Sequence, residues 1–268
     1  MTTKNSLLPI GQAIAVVALV AFSNQAAAVI IDSFEAPNAV GAAPLPPAIV
    51  VSGNVTVETG SGFLDGFGGS PTTTVMATHG AQFAYLTNGP GATGAGDSGV
   101  DRTGDGAAES DVAIMTVGFA AAAGDMVSFD WDLLTEEISG GVPDPFEILL
   151  DGATILAGAI GFDNGTFPSV VGFSDVEIVG PDGSSFFDGR LGWASFLSGP
   201  LTAGAHTLEF FVGDEGFLDG TPDDIVETAL LVDNIELTTP QVSVPEPGTL
   251  MLSIIGLAGL GMRRFKKA

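Results

Sequence analysis

Cysteine is absent from the 268 residues, which excludes a thiol nucleophile, a thiolate metal site and disulfide staples. Bases are scarce too: seven Lys and Arg stand against 32 Asp and Glu. Between Val29 and Val244 the only bases are Arg102 and Arg190 among 31 acids, a net charge of −29. Such a surface repels nucleic acid and anionic lipid, since both demand a basic footprint. Solubility, a salty medium or binding of divalent cations would each account for it. Groups able to move protons near neutral pH are few, with His79, His206 and a single Tyr85. There is no G-x-S-x-G elbow, H-E-x-x-H helix or phosphate-cradling loop, and nothing selects one serine for a Ser-His-Asp triad. No central segment of ten or more residues keeps a helical period.

Glycine, proline and short apolar alternations are abundant, with 38 Gly, 16 Pro and 46% hydrophobic residues. The last figure is enough for a core in a chain of this length. In "MVSFDWDLL", Val127, Phe129, Trp131 and Leu133 share one face, and Ser128, Asp130 and Asp132 the other. In "AHTLEFFVGD", Leu208, Phe210 and Val212 alternate with Thr207, Glu209 and Phe211. "FEILLDGATILAG" is two strands around Asp151-Gly152, a two-residue hairpin pattern. Further strands are expected in "IVVSGNVTVET", "AQFAYLTN", "VAIMTVGF", "SDVEIV", "RLGWASFL" and "ETALLVDNIELT". Nine to eleven strands split by Gly, Pro, Asp and Ser clusters predict an all-β fold, a jelly-roll-like β-sandwich.

The two ends read differently from the middle. Lys4, an apolar run from Ala13 to Phe22 and the triplet Ala26-Ala27-Ala28 follow the order of a secretory signal peptide over 1–28, with cleavage read at Ala26 and Ala28. The sandwich domain is then expected over 29–240 and a tail over 241–268. In the tail, Gly248 to Met262 is 15 uncharged residues, roughly 22 Å as a helix at about 1.5 Å per residue. That is a short single transmembrane helix, with Arg263 to Lys267 held on the cytoplasmic side. Pro245-Glu246-Pro247 stays extended in front of it. "VPEPGTLMLSIIGLAGLGMRRFKKA" resembles the PEP-CTERM sorting signal of Gram-negative bacteria. The resemblance implies recognition of Pro245, Glu246 and Pro247 by a membrane peptidase, exosortase, in cells that make exopolysaccharide. It makes Arg263 and Arg264 the stop signal.

"IIDSFEAP" and "LLVDNIELTT" are similar to the first and last strands of carbohydrate-binding-module-like jelly rolls, whose ends lie side by side. That resemblance implies one structural Ca²⁺ held by backbone oxygens and acidic side chains of both strands. Glu35 and Asp233 are the first candidates, with Asp32 and Asn234 in reserve. An uncompensated Asp233 among Leu231, Val232 and Ile235 would be costly, while a turn cap or a solvated carboxylate is the plain alternative. "DRTGDG" from Asp101 has EF-hand acids at two positions, but Val112 stands where the bidentate Glu belongs, so a solvated loop is expected. The pentapeptide "GFLDG" occurs twice, too few copies for a repeat architecture. Trp131 reads as core, and Trp193 as core or a sugar-stacking platform. A glycosidase needs two carboxylates, which "TEE" or "DEGFLDGTPDD" could supply, though solvated loops explain both. The reading is therefore an exported, non-enzymatic envelope or matrix protein without organic cofactor, structural or adhesive. A carbohydrate-binding module for exopolysaccharide is second and a glycan hydrolase third.

Overall fold

Two clusters of alternating apolar residues face each other across the structure, a computed structural model. It describes residues 28–32, 34–35, 49–60, 63–65, 75–89, 102, 109–136, 144–160, 168–181, 186–214, 227–240 and 255. Ala27–Thr239 forms one unit. The other comprises the two ends, and the leader and nearly all of the sorting tail, including Ala26, Pro245 to Pro247, Arg263 and Arg264, lie outside the described residues.

Among the described residues the chain lays down fifteen strands. In order they are β1 (Ala28–Asp32), β2 (Ile49–Ser52), β3 (Asn54–Thr59), β4 (Leu64–Asp65), β5 (Gln82–Thr87), β6 (Ser110–Ala121), β7 (Met126–Thr135) and β8 (Asp144–Leu150). There follow β9 (Ala153–Ile160), β10 (Ser169–Val170), β11 (Ser174–Val179), β12 (Phe186–Arg190), β13 (Ala194–Leu197), β14 (Gly204–Asp214) and β15 (Thr228–Thr238). One sheet has the order β3-β5-β15-β7-β12-β11-β4, with β1 added to β15 and β13 to β7. The other runs β10-β9-β8-β14-β6-β2. All pairs are antiparallel except β9 with β10.

The fold is a β-sandwich because the period-two faces meet. On β6, Ala113, Met115, Val117 and Phe119 point inward, in register with Val212, Phe210 and Leu208 of β14. Opposite them lie Val127, Phe129, Trp131 and Leu133 of β7 and Leu230, Val232 and Ile235 of β15. Two aromatic contacts stitch the sheets together: Phe129 meets Phe210 edge-on at 5.1 Å, and Trp131 stacks on Phe146 at 5.5 Å. Such pairs contribute about 0.5–1.5 kcal/mol each beyond simple burial. Trp131 is core, as expected. The Asp151-Gly152 turn closes β8 onto β9 with φ of 53° and 75°, the left-handed pair that a two-residue hairpin needs.

Three details differ from the sequence reading. "IVVSGNVTVET" is not one strand: Gly53, at φ 74°, turns the chain so that β2 joins one sheet and β3 the other. A Cβ at Gly53 would sit 1.9 Å from the Val112 carbonyl oxygen, so only glycine fits. "RLGWASFL" is likewise split at Gly192, φ 90°. The third difference is larger. The outer face of the first sheet, for which alternation named no apolar cover, carries a second core of Val75, Phe83, Tyr85, Leu134, Val176, Ile178, Phe187, Ala229 and Leu231. β11 and β12 supply its cover, which period-two alternation within β7 could not reveal.

Candidate functional site

β15 changes partner halfway along one edge. It pairs with β5 through Ala229–Val232 and with β1 from Ile235, while β7 follows its other edge. At the changeover the register slips and Asn234 turns left-handed at φ 52°, a bulge that re-aims Asp233. β1 slips between Ile30 and Asp32, and Phe34 turns left-handed at φ 57°. The first and last strands thus bring Asp32, Glu35, Asp233 and Asn234 to one place, beside the segment 75–82.

Asp233 is fully buried. Its Oδ2 accepts from Thr78 N at 2.7 Å, Thr78 Oγ1 at 3.0 Å and His79 N at 2.8 Å, and Oδ1 accepts from Asn234 N at 2.7 Å. Burial nevertheless pushes its carboxyl above the usual range, against those hydrogen bonds. Asp32, also buried, accepts from Phe34 N at 2.6 Å; burial raises it as well, and the neighbouring Asp233 charge adds to the rise. Glu35 Oε1 accepts from Ala81 N and, at 2.8 Å, from Gln82 N. Gly80, just before these donors, has φ 69°, and a Cβ there would lie 2.3 Å from Glu35 Oε1. The two carboxylates therefore pin both ends of residues 78–82 to the end strands.

A Ca²⁺ here has both support and a constraint. Asp32 and Asp233 are adjacent buried acids, and among the described residues no Lys, Arg or His is ion-paired to either. Asn234 Oδ1 is buried without a hydrogen-bond partner, while its Nδ2 reaches Asp130 Oδ2 at 3.4 Å. These are oxygen donors of the kind a hard cation takes. However, no group of three or more His, Asp and Glu converges on a point among the described residues. The residues fit Ca²⁺ only with backbone carbonyls completing its six to eight oxygens.

Other residues singled out in the sequence have definite places. Trp193 packs edge-on against Phe83 at 5.8 Å, its Nε1 donates to the Met76 carbonyl at 2.8 Å, and part of it stays exposed. His79 is exposed, with its backbone N–H donated to Asp233. His206 is buried, facing Asp151 Oδ2 at 2.6 Å and the Thr202 carbonyl at 2.9 Å, and stacks on Phe119. Glu136 of "TEE" is exposed, and burial together with Asp188 raises its carboxyl. Glu137, Asp101, Asp105 and most of "DEGFLDGTPDD" lie outside the described residues.

Two arrangements escaped sequence reasoning. Arg102, in a stretch expected to be a solvated loop, is half-buried. It meets Glu147 at 3.0 Å, Glu209 at 2.7 Å and the Phe211 ring at 4.3 Å. Asp132, grouped by alternation with Ser128 and Asp130 on the face away from Phe129 and Trp131, is completely buried against Arg190 Nε at 2.7 Å, because the second core covers it. The only available hint was that the central region has two bases and no more.

These features define a class: a β-sandwich closed by its first and last strands, followed by a segment of contrasting charge. Residues 243–267 match the PEP-CTERM protein-sorting motif. The chain is thereby marked for export and for sorting by exosortase, held at the membrane before release to the cell envelope. Among the described residues no helix is long and apolar enough to cross a membrane. Among solved structures the chain is similar to the K2 cleaved adhesin domain of Lys-gingipain, with TM-score 0.42 and 11% identity over 80% of this chain and 99% of that one. The K1 domain from Porphyromonas gingivalis W83 gives 0.38 and 11% over 80% and 99%. The CBM51 module from Clostridium perfringens GH95, solved with methyl-galactose, gives 0.26 and 12% over 79% and 100%. Likenesses this loose carry no inference about a ligand. No curated protein matches the chain.

Proposed function

We propose that the protein is a structural or adhesive component of the cell envelope or extracellular matrix of an exopolysaccharide-producing Gram-negative bacterium, and that it is not an enzyme. The observation carrying this reading is the sorting motif at 243–267, placed directly after a sandwich whose last strand pairs with its first. In this reading the leader is removed at Ala28, exosortase reads Pro245-Glu246-Pro247, and Arg263-Arg264 hold the tail on the cytoplasmic side. One Ca²⁺ near Asp32, Glu35, Asp233 and Asn234 ties the end strands. The partly exposed Trp193 ring favours a second reading, a carbohydrate-binding module for exopolysaccharide. The test is retention of the purified sandwich on exopolysaccharide resins, run beside an assay for released reducing sugar. Neither retention nor turnover is expected. Retention lost with Trp193→Ala establishes the second reading, and sugar release establishes a glycan hydrolase.

A further inference from the structure

We infer that the flank formed by β2 and β3 pairs with the same flank of a second copy, joining two molecules strand to strand across a two-fold axis. Pairing of copies suits a matrix component but does not depend on that reading. β2 ends one sheet and β3 ends the other, and among the described residues no strand lies on the outer edge of either. Gly53 alone separates them, and β6 lies over β3 and β5, so both edges fall on one flank.

An edge strand turns alternate N–H and C=O groups outward without partners, so natural sheets blunt it with charge, proline, a bulge or brevity. On the other flank brevity serves, because β10 and β4 end the sheets with two residues each. β2 and β3 have four and six. From Ile49 to Val57 there is no charged residue and no proline, in a chain with 32 Asp and Glu. Neither ladder carries a register shift. Val50 is 64% exposed and Val51 38%, and Ser52, Asn54 and Thr56 are exposed as well. Two valines and an open row of backbone groups thus face water with none of the usual guards.

The chemistry of this edge selects its occupant. It has no charge with which to recognise a charged segment, and a basic partner would be drawn to acids elsewhere on the −29 surface. What it takes is an extended, uncharged, apolar strand added in β-augmentation. β2 is such a strand, and it is complementary to itself. Ile49 and Val51 stand opposite Val117 and Met115 of the core, while Val50 stands opposite Thr116 on the outer face. Residues opposed in an antiparallel pair share a face of the sheet. Centring the axis on Val50 sets Val50 against its own copy and Ile49 against Val51 on either side, so every opposed pair is apolar and β-branched. The contact is isologous and closes at two copies, extending the six-stranded sheet to twelve strands. Repulsion between two acidic bodies opposes it at long range. The Debye length shrinks from about 8 Å at physiological salt to about 3 Å at 1 M. Association should therefore strengthen with salt, the reverse of a contact held by ion pairs.

Sedimentation of the full chain, in detergent matched to the solvent density, should show a dimer that tightens as salt rises from about 0.1 M to about 1 M. Val50→Glu should weaken it roughly tenfold or more, because like charges then oppose each other, and Val50→Lys should do the same. Mixing those two variants should restore the dimer, since each then meets the opposite charge. Val171→Glu, just past β10 at the far edge of the same sheet and 78% exposed, should change nothing. Val50→Cys adds no charge and tests the same contact, in a chain with no native cysteine. Directly opposed residues have Cβ atoms about 4.5–5.5 Å apart, so a methylene-bridged bis-thiosulfonate should cross-link Val50→Cys into dimers and leave Val171→Cys unlinked. A chain that stays monomeric at every salt, or a mixture of the two charged variants that does not pair, overturns the inference. A dimer indifferent to both Val50 variants does so too, because it would be held elsewhere, as by the tail. Cross-linking as ready from Val171→Cys as from Val50→Cys would mark contact without register and overturn it as well. Glycan retention bears on none of these outcomes, so this inference and the proposed function fail separately.

Discussion

Arg102 and Arg190 are the two bases of the acidic central region, and both are held at least partly away from water by carboxylates. Arg190 matters more, because Asp132 beneath the second core has no exposed surface. Asp132 Oδ2 takes Arg190 Nε at 2.7 Å, and Oδ1 takes Gly192 N at 2.7 Å and Leu133 N at 2.8 Å. Burial still drives the Asp132 carboxyl upward, with Arg190 opposing it. Removing one partner leaves a buried charge alone, which costs about 3–5 kcal/mol. Arg190→Met is expected to lose that much in urea unfolding. Asp132→Leu combined with Arg190→Met should recover part of it, since no lone charge then remains. Additive losses would show that the pair is not coupled. This pair was not legible beforehand, because alternation assigns a residue to a face and says nothing about what covers that face. Asp32, Glu35 and Asp233 were legible from the end-strand pattern. The donors Thr78 and His79 were not, since they come from a segment more than 150 residues away along the chain.

The β8–β9 hairpin shows what a strong local pattern secures. Asp151-Gly152 was legible because its two left-handed residues are intrinsic to the dipeptide. Its link to β14 was not. Asp151 Oδ1 accepts from Thr207 N, while Oδ2 and the Thr202 carbonyl face the two ring nitrogens of His206. Only the imidazolium can donate to both. The hydrogen bond with Asp151 and then that with Thr202 raise the His206 pKa above its ordinary 6.5, against burial. Slight burial pushes Asp151 up, but the bonds from His206 and Thr207 hold it below its ordinary 3.8. A raised histidine stabilises fully below the unfolded value and loses that contribution as pH rises through the folded value. A lowered aspartate stabilises above its unfolded value and loses that contribution as pH falls through the folded one. The hairpin link is thus complete from about pH 4 to about pH 6.5 and weakens above. Wild type should melt lower at pH 8.5 than at pH 6 at matched ionic strength, and His206→Gln should narrow that gap. An unchanged gap would place the pH dependence elsewhere. The divided elements, at Gly53 and Gly192, were missed because one glycine is equally at home inside a strand and between two.

Closure of the sandwich depends on its chain ends meeting, so its separability from the tail and its response to metal can be tested together. The core lies between β1 and β15, and deleting 245–268 is expected to leave a soluble, folded, exported domain with unchanged melting. Glu246→Ala should block processing without affecting folding; normal release of that variant would show that the tripeptide is not what the peptidase reads. The proposed Ca²⁺ would bear on closure itself. An ion shared by β1 and β15 binds the folded chain alone. At a hundredfold excess over the dissociation constant it therefore stabilises by about 2.7 kcal/mol. For a domain of this size, 1 kcal/mol moves the melting temperature by roughly 2–4 °C, so a rise of roughly 5–11 °C is expected. Screening of the −29 charge would raise it too, but Mg²⁺ would then serve nearly as well as Ca²⁺. A true site prefers Ca²⁺, whose longer bonds accept an irregular shell of carboxylates and carbonyls. Asp32→Asn separates the two further. In EDTA it relieves the burial of a charge beside Asp233 and should melt above wild type, yet it should lose the Ca²⁺ response. Asp233→Asn and Glu35→Gln should lose the response as well. Equal shifts from both cations, or variants that respond like wild type, would leave screening as the whole effect and return the four residues to a purely structural clamp on 78–82.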